Sequence, residues 1–296
     1  MKIQFLNGGL ANQVFQYIFV RYAELRHPED EPWLIDDSFF FVNQVHNGYE
    51  LEKVFGIRAN LLSRNFTADV WDELINNKRK GISIPQSLKN LGFEVVMVSG
   101  SKNYMLHNPF DGVVIPVACN AFIPNVTDMQ EDIIYYHGYW IQPGWLNAYR
   151  EILLKELMFP PITDDVNRRR VDEILSSESV AVHIRRGDYV TLGWQSDNQF
   201  FKDGICQVLD RSPDASFFVF SDDISWCCQN SEELGLTLTP RVTYVEGNNG
   251  DNAYIDLQLM TLCKGMIFCK SAFSYLAAVM SDRLEYFVQD GGRPPI

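Results

Sequence analysis

The sequence predicts an α/β protein with parallel sheets, and three observations carry that expectation. Short apolar segments alternate with amphipathic ones at helical spacing along most of the chain, the pattern of strand–helix–strand units. Two of the apolar segments, Ser216-Phe217-Phe218-Val219-Phe220 and Met266-Ile267-Phe268, are unbroken runs. Strands covered on both faces by helices read this way, whereas half-exposed strands alternate with polar residues. The third observation is that charged and small residues gather directly after such runs, where sheets of this kind bind ligands.

In chain order, Ile3–Leu6 reads as a strand, Asn7-Gly8-Gly9 as a turn, and Asn12–Leu25 as a helix with Val14, Tyr17, Ile18 and Ala23 on its apolar side. The second half has the clearer rhythm. Thr163–Ser176 predicts a helix, Ser179–Ile184 a strand, Phe200–Leu209 a helix and Ser216–Phe220 a strand. Val242–Val245 follows as a strand, Ala253–Cys263 as a helix, Gly265–Cys269 as a strand, Phe273–Met280 as a helix and Leu284–Val288 as the last strand. Pro160-Pro161 interrupts a helical pattern and marks the best boundary, giving domains of residues 1–160 and 161–296. The stretch Asp69–Asp132 is less periodic, and its elements have no clear order.

Composition narrows the function. With 25 basic and 38 acidic residues the chain carries a formal charge of −13, the opposite of the basic surface that nucleic-acid binding requires. Six cysteines form no C-x-x-C pair and have no zinc spacing, so they read as buried free thiols. The apolar run at the N-terminus is too short for a signal peptide or a membrane span, and a cytoplasmic protein is expected.

The segment richest in chemistry is Val180-Ala181-Val182-His183-Ile184-Arg185-Arg186-Gly187-Asp188-Tyr189. An apolar strand stops and two arginines follow. A guanidinium presents a planar fork of donors that matches phosphate oxygens, and Gly187 lets the backbone turn sharply or approach a ligand. From the pattern alone, an internal ion pair with Asp188 on a solvated loop fits as well as an anion site.

His-Ile-Arg-Arg-Gly-Asp-Tyr resembles the signature of the α-1,2-fucosyltransferases and, more loosely, of the wider fucosyltransferase group. Four other segments agree in the same order: Gly8-Gly9-Leu10-Ala11-Asn12-Gln13-Val14-Phe15-Gln16-Tyr17; His137-Gly138-Tyr139-Trp140; Phe220-Ser221-Asp222-Asp223; and Asp256–Lys264 with Ser271-Ala272-Phe273-Ser274. The resemblance implies a GT-B-like architecture of two facing Rossmann-like halves. It implies a nucleotide-sugar donor, GDP-fucose, held mainly by the second half, and a glycan acceptor on the first. Arg185 and Arg186 would hold the leaving diphosphate, with Asp188 orienting them and His183 touching the nucleotide. Ser221, Asp222, Asp223, Asp256, Ser271 and Ser274 are the further donor-side candidates, each of which could equally cap a helix or pack. Gly9, Asn12 and Gln13 would meet the donor from the first half, and His137, Tyr139 and Trp140 would form an acceptor wall. No metal ligand set and no cofactor beyond the sugar nucleotide are expected, since two arginines can take the place of a divalent ion at the diphosphate.

Some positions depart from the family pattern. Ala11 replaces a usual glycine, Ile141-Gln142-Pro143-Gly144 replaces a polar stretch, and Tyr275-Leu276-Ala277 replaces Trp-Trp-Gly. They leave the arginines intact and open the question of acceptor and linkage. Two other readings remain: a transferase of the same architecture with another donor, and a catalytically silent carbohydrate-binding protein. A nicotinamide oxidoreductase is disfavoured because the glycine fingerprint with its downstream acid is missing.

Overall fold

The computed structural model describes residues 1–43, 45, 47–100 and 110–291. Residues 292–296 lie outside the described residues. Contacts divide the chain into two compact units, one ending at Phe159 and the other beginning at Pro160.

The first unit holds a five-stranded sheet of order β2-β1-β5-β3-β4, formed by β1 (Lys2–Phe5), β2 (Leu34–Asp36), β3 (Val95–Ser99), β4 (Val113–Pro116) and β5 (Ile133–His137). All its pairings are parallel. The helix Leu10–Arg26 follows β1 and buries twelve side chains, among them Val14, Phe15, Ile18 and Phe19. This explains its weak amphipathicity in sequence: it is covered on most sides. On the other side of the sheet Ile3, Met97 and Tyr135 pack with Trp71, Leu74, Ile84 and Leu88 from the helices Ala68–Arg79 and Ile84–Asn90. These two helices order part of the stretch that sequence periodicity left open.

The second unit repeats the theme with the order β10-β9-β6-β7-β8. Its strands are β6 (Ser179–Ile184), β7 (Ser216–Ser221), β8 (Val242–Tyr244), β9 (Gly265–Phe268) and β10 (Tyr286–Gln289), again all parallel. The helices Asp165–Leu175, Asn198–Arg211, Tyr254–Thr261 and Ala272–Met280 lie within a few residues of their expected spans. Every residue of β6 and β9 is buried, in keeping with the mainly apolar character of strands covered on both faces.

Strand order decides where a ligand belongs. Numbered within its own unit, the second sheet runs 5-4-1-2-3, the doubly wound arrangement whose switch point lies between its first and fourth strands. Here those are β6 and β9. In the first sheet the corresponding gap lies between β1 and β5. The loops after these four strands contain Gly8-Gly9, Gly138–Trp140, Arg185–Asp188 and Ser271, while Asp222 and Asp223 follow β7 and Asp256 lies in the helix before β9. Among the described residues, no helix is long and apolar enough to cross a membrane.

Candidate functional site

At the switch point of the second unit, β6 delivers His183 and the two arginines. The parallel register pairs Ile184 with Ser221, so the next residues, Arg185 and Asp222, come side by side. Asp222 uses both oxygens: Oδ2 lies 3.0 Å from Arg185 Nη1, and Oδ1 accepts the backbone N–H of Arg186 at 2.7 Å. Arg185 also donates from Nη2 to Asp188 Oδ1 at 2.8 Å. Two carboxylates thus aim one guanidinium, which still carries N–H donors for a third anion. These groups are partly exposed, so the pairs add little stability; their consequence is orientation. Gly187 is required here, because a Cβ at this position would stand 2.5 Å from Asp222 Oδ2.

Arg186 is held differently. Its guanidinium carbon lies 3.6 Å from the ring centre of Trp226, well inside cation–π range. Arg185 makes a looser contact of the same type with Tyr189, at 5.5 Å. His183 is 6% exposed, and its Nδ1 is 3.5 Å from Cys269 Sγ at the end of β9. Burial, with the Arg185 charge adding to it, pushes its pKa down to about 3, so the ring is a neutral group in this loop cluster.

Other donor-side candidates divide into two sets. Ser221 Oγ accepts from Asp223 N at 3.0 Å, and Asp223 caps the helix Ile224–Gln229 by accepting from Trp226 N at 3.0 Å. Ser271 caps the helix Ala272–Met280, and the fully enclosed Ser274 donates to Ser271 O. Their side chains therefore do local work in turns and caps. Asp256 is different. It lies in the first turn of the helix Tyr254–Thr261 and accepts from Asn248 Nδ2 at 2.7 Å. Asn248 in turn exchanges hydrogen bonds with Asn167, and Arg170 donates to Asn167 Oδ1 at 2.9 Å. Burial raises the Asp256 pKa to about 7.

In the first unit, Gly8 (φ +81°) and Gly9 lead from β1 into the helix Leu10–Arg26. Gly8 lies so close to Asn12 that a Cβ there would be 2.5 Å from Asn12 Nδ2. Asn12 is half-buried beside the turn. Asn7 Nδ2 donates to Tyr139 Oη at 3.2 Å, joining the loops after β1 and β5.

Two expectations about this unit are corrected. Gln13 is fully buried: its Nε2 donates to Gly8 O at 2.9 Å and Gly48 O at 2.8 Å, and its Oε1 accepts from Glu50 N at 2.8 Å. It builds the loop and offers nothing to a donor. Trp140 is 1% exposed, stacks on Phe19 at 4.0 Å and donates from Nε1 to Gln4 Oε1 at 2.8 Å. A ring enclosed in this way cannot form an acceptor wall. His137 is 8% exposed and stacks on Phe5 at 5.3 Å. Burial first, and the Lys78 charge second, push its pKa down to about 3. Tyr139 remains half-buried at the loop surface.

Comparison with known proteins places the family and the fold. The family description "Glycosyl transferase family 11" matches residues 125–287, more than half of the chain. An Escherichia coli protein named alpha-1,2-colitosyltransferase is 30% identical over 280 residues, covering 92% of this chain and 85% of that protein. The chain belongs to glycosyl transferase family 11. A second Escherichia coli relative, the O-antigen biosynthesis glycosyltransferase WbnK, is 24% identical over 92% of this chain and 88% of its own. The fold is that of GT-B fucosyltransferases. Fucosyltransferase NodZ from Bradyrhizobium superposes with a TM-score of 0.51 at 14% identity, over 100% of this chain and 96% of that one. Arabidopsis thaliana FUT1 in complex with GDP gives 0.51 at 14% identity, over 99% of this chain and 70% of that one. As a family 11 enzyme, the protein is a fucosyltransferase-like glycosyltransferase.

Several residues around these loops were not singled out by the sequence reading. Trp226 closes the segment Phe220–Trp226 that resembles the family motif, but its stacking on Arg186 gave no signal, since it depends on the turn that Asp223 caps. Asn167 and Asn248 are 81 residues apart and meet only in the fold. Asp36 and Asp37 did carry a signal: Trp33-Leu34-Ile35 is a short apolar run ending in two acids, the same strand-end pattern that drew attention to Arg185.

Proposed function

We propose that the chain is an inverting fucosyltransferase that moves L-fucose from GDP-β-L-fucose to a galactoside hydroxyl, forming an α-1,2 linkage without a divalent metal. The observation that carries this reading is the doubly anchored Arg185 at the switch point of the second sheet. Cleavage of the sugar–phosphate bond places negative charge on the departing diphosphate. A guanidinium already aimed by Asp188 and Asp222 meets that charge without reorganising, and so favours the transition state over the ground state. Arg186 adds a second cation. Because both carboxylates are engaged with Arg185 and its loop, they are poorly disposed to recruit a metal ion.

In this reading the second unit carries GDP. Arg185 faces the β-phosphate, the neutral His183 meets the nucleotide, and Asp256 accepts hydrogen bonds from the guanine edge. The first unit supplies the acceptor side. The acceptor hydroxyl attacks the anomeric carbon on the face opposite GDP: the new C–O bond forms as the sugar–phosphate bond breaks, GDP leaves with the electron pair, and the hydroxyl proton passes to a general base and from it to water. The crystal structure of NodZ soaked with GDP-fucose, which has a TM-score of 0.50 to this chain, lends the donor class support.

The colitosyltransferase relative favours a second reading with the same chemistry, in which the donor is a related GDP-sugar carrying colitose. Incubation with GDP-fucose, GDP-colitose or UDP-galactose and an array of glycans, read by mass with and without EDTA, separates the two. Fucose addition that survives EDTA is expected. Addition of colitose alone would replace the first reading by the second. Loss of transfer on chelation, restored by manganese, would overturn the metal-free mechanism. Arg185→Ala should lower transfer by roughly a thousandfold, by analogy with arginines that stabilise phosphoryl charge, and Arg185→Lys should recover little because it lacks the planar fork. Near-normal turnover in folded Arg185→Ala protein would remove this arginine from the mechanism.

A further inference from the structure

Outside the arginine loop, a cavity of about 350 Å³ opens in the first unit just past the carboxyl end of β2. Its walls include Asp37, Phe40, Phe41, Tyr49, Ser63 and Arg64. Position, size and lining all bear on what it holds. The loop after a strand's carboxyl end is where parallel sheets carry ligand sites, and the volume lies within the range of small-molecule pockets.

The floor of the cavity is an enclosed carboxyl group, whose pKa burial raises and hydrogen bonds from Ser63 lower. Asp37 is 4% exposed; its Oδ1 accepts from Ser63 N at 3.1 Å and its Oδ2 from Ser63 Oγ at 2.6 Å. Its neighbour Asp36 turns away, accepting from Ser38 N at 2.8 Å and from Tyr135 Oη. Lys78 lies nearby: it donates to Ser38 Oγ and sits 4.5 Å above the Phe5 ring; burial lowers its pKa, and the two carboxylates only partly offset that shift. An enclosed carboxylate is costly unless its surroundings are built for it. Ser63 fixes Asp37 while leaving acceptor capacity on its oxygens.

Around this acceptor stand aromatic surfaces. Phe41 is 47% exposed, with its ring edge-on to Trp71 at 5.3 Å, so a phenyl group is presented to solvent at the cavity wall. Phe40 and Tyr49 are in ring contact at 6.1 Å. Arg64 is paired with Glu52, which holds its remaining donors in place. A phosphate would be repelled by Asp37. A metal ion would find one carboxylate whose oxygens already accept from Ser63. A purely apolar ligand would strand the charge. A neutral ring bearing hydroxyls satisfies all three features at once, with its C–H face on the aromatic rings, its hydroxyls donating to Asp37, and its oxygens accepting from Arg64.

We infer that this cavity is a monosaccharide subsite for the acceptor glycan, with Asp37 and Arg64 reading the hydroxyls and Phe40, Phe41 and Tyr49 packing against the ring. The assignment of its occupant as the acceptor rests on the transferase reading above. The test is binding of the full chain, in the presence of GDP, to an array of glycans that includes lactose and N-acetyllactosamine, alongside Asp37→Asn and Phe41→Ala. Wild-type protein should retain a defined set of glycans, and both variants should lose that set by at least tenfold while their GDP affinity, measured by calorimetry, stays within twofold of wild type. Should Asp37→Asn fail to fold, Phe41→Ala carries the comparison, since a half-exposed ring can be removed without opening the core. Retention of the same glycans by the variants, or capture of no glycan by wild type, would overturn the subsite. Absence of GDP binding by wild type would instead strike the transferase reading, so the two failures are distinguishable.

Discussion

The guanidinium carbon of Arg186 stands 3.6 Å from the centre of the Trp226 ring, and its buried Nε meets no hydrogen-bond acceptor among the described residues. The second arginine is thus positioned by an aromatic face, while the first is positioned by two carboxylates. Trp226→Ala should leave the chain folded and lower kcat/KM by roughly tenfold, the value of a partly desolvated cation–π contact. Trp226→Phe should restore much of the loss because it keeps a π face. Steady-state kinetics with GDP-fucose on both variants checks this, and equal rates for Trp226→Ala and wild type would show that Arg186 does not depend on the stack.

Gly187 bears on the same loop from the opposite side. Gly187→Ala would set a methyl carbon 2.5 Å from Asp222 Oδ2, forcing that carboxylate away from Arg185 and from the Arg186 backbone. Transfer should fall by about a hundredfold or more, as small misplacements at a reacting centre do, with little change in thermal unfolding temperature. A matched pair of melting curves and rate measurements tests this; unimpaired rates would mean that Asp222 is not what holds the arginines.

Asp256 gives a pH dependence. Its folded pKa of about 7 lies above the ordinary carboxylate value of 3.8. Between those two values the native state binds more protons than the unfolded state, so this group makes stability fall as pH rises from about 4 to about 7, with no further effect above. Asp256→Asn should flatten that part of the profile in urea titrations. GDP should behave in the opposite sense: if the carboxylate accepts from guanine, affinity rises as pH passes through about 7. Calorimetry from pH 5.5 to 8.5 that found GDP affinity unchanged would detach Asp256 from the base.

Trp140→Ala should act on the fold rather than on the acceptor. The ring is 1% exposed, with Phe19 stacked against it and Trp145 edge-on at 6.3 Å. Its removal leaves a large cavity and the Gln4 amide without its donor, a loss of about 3–5 kcal/mol. Chemical denaturation measures it. A variant as stable as wild type but unable to use acceptor would return this tryptophan to the sugar side.

Much of this was legible from sequence where local pattern and topology coincide. The strands Ser179–Ile184 and Gly265–Phe268 were plain because burial on both faces leaves the apolar runs Val180–Val182 and Met266–Phe268 at their centres. Arg185 stood out because a charged residue ends such a run. The family motifs were equally visible, but motif membership did not separate residues that face a ligand from residues that build the loop. Gln13 and Trp140 lie in recurrent motifs and are buried, one by its three hydrogen bonds and the other by aromatic packing. The difference depends on partners at Gly48, Glu50 and Gln4, remote in sequence from one or the other. Cross-chain arrangements such as Asn167 with Asn248, or Lys78 under Asp36 and Asp37, have no local period to betray them.

The Gln13 amide has a mechanical consequence. It fastens the turn at Gly8 to the segment Gly48–Glu50, and that segment carries Tyr49, a wall of the cavity beside Asp37. Turn and wall are thus tied together by one buried side chain, with no part taken by the sheet beneath.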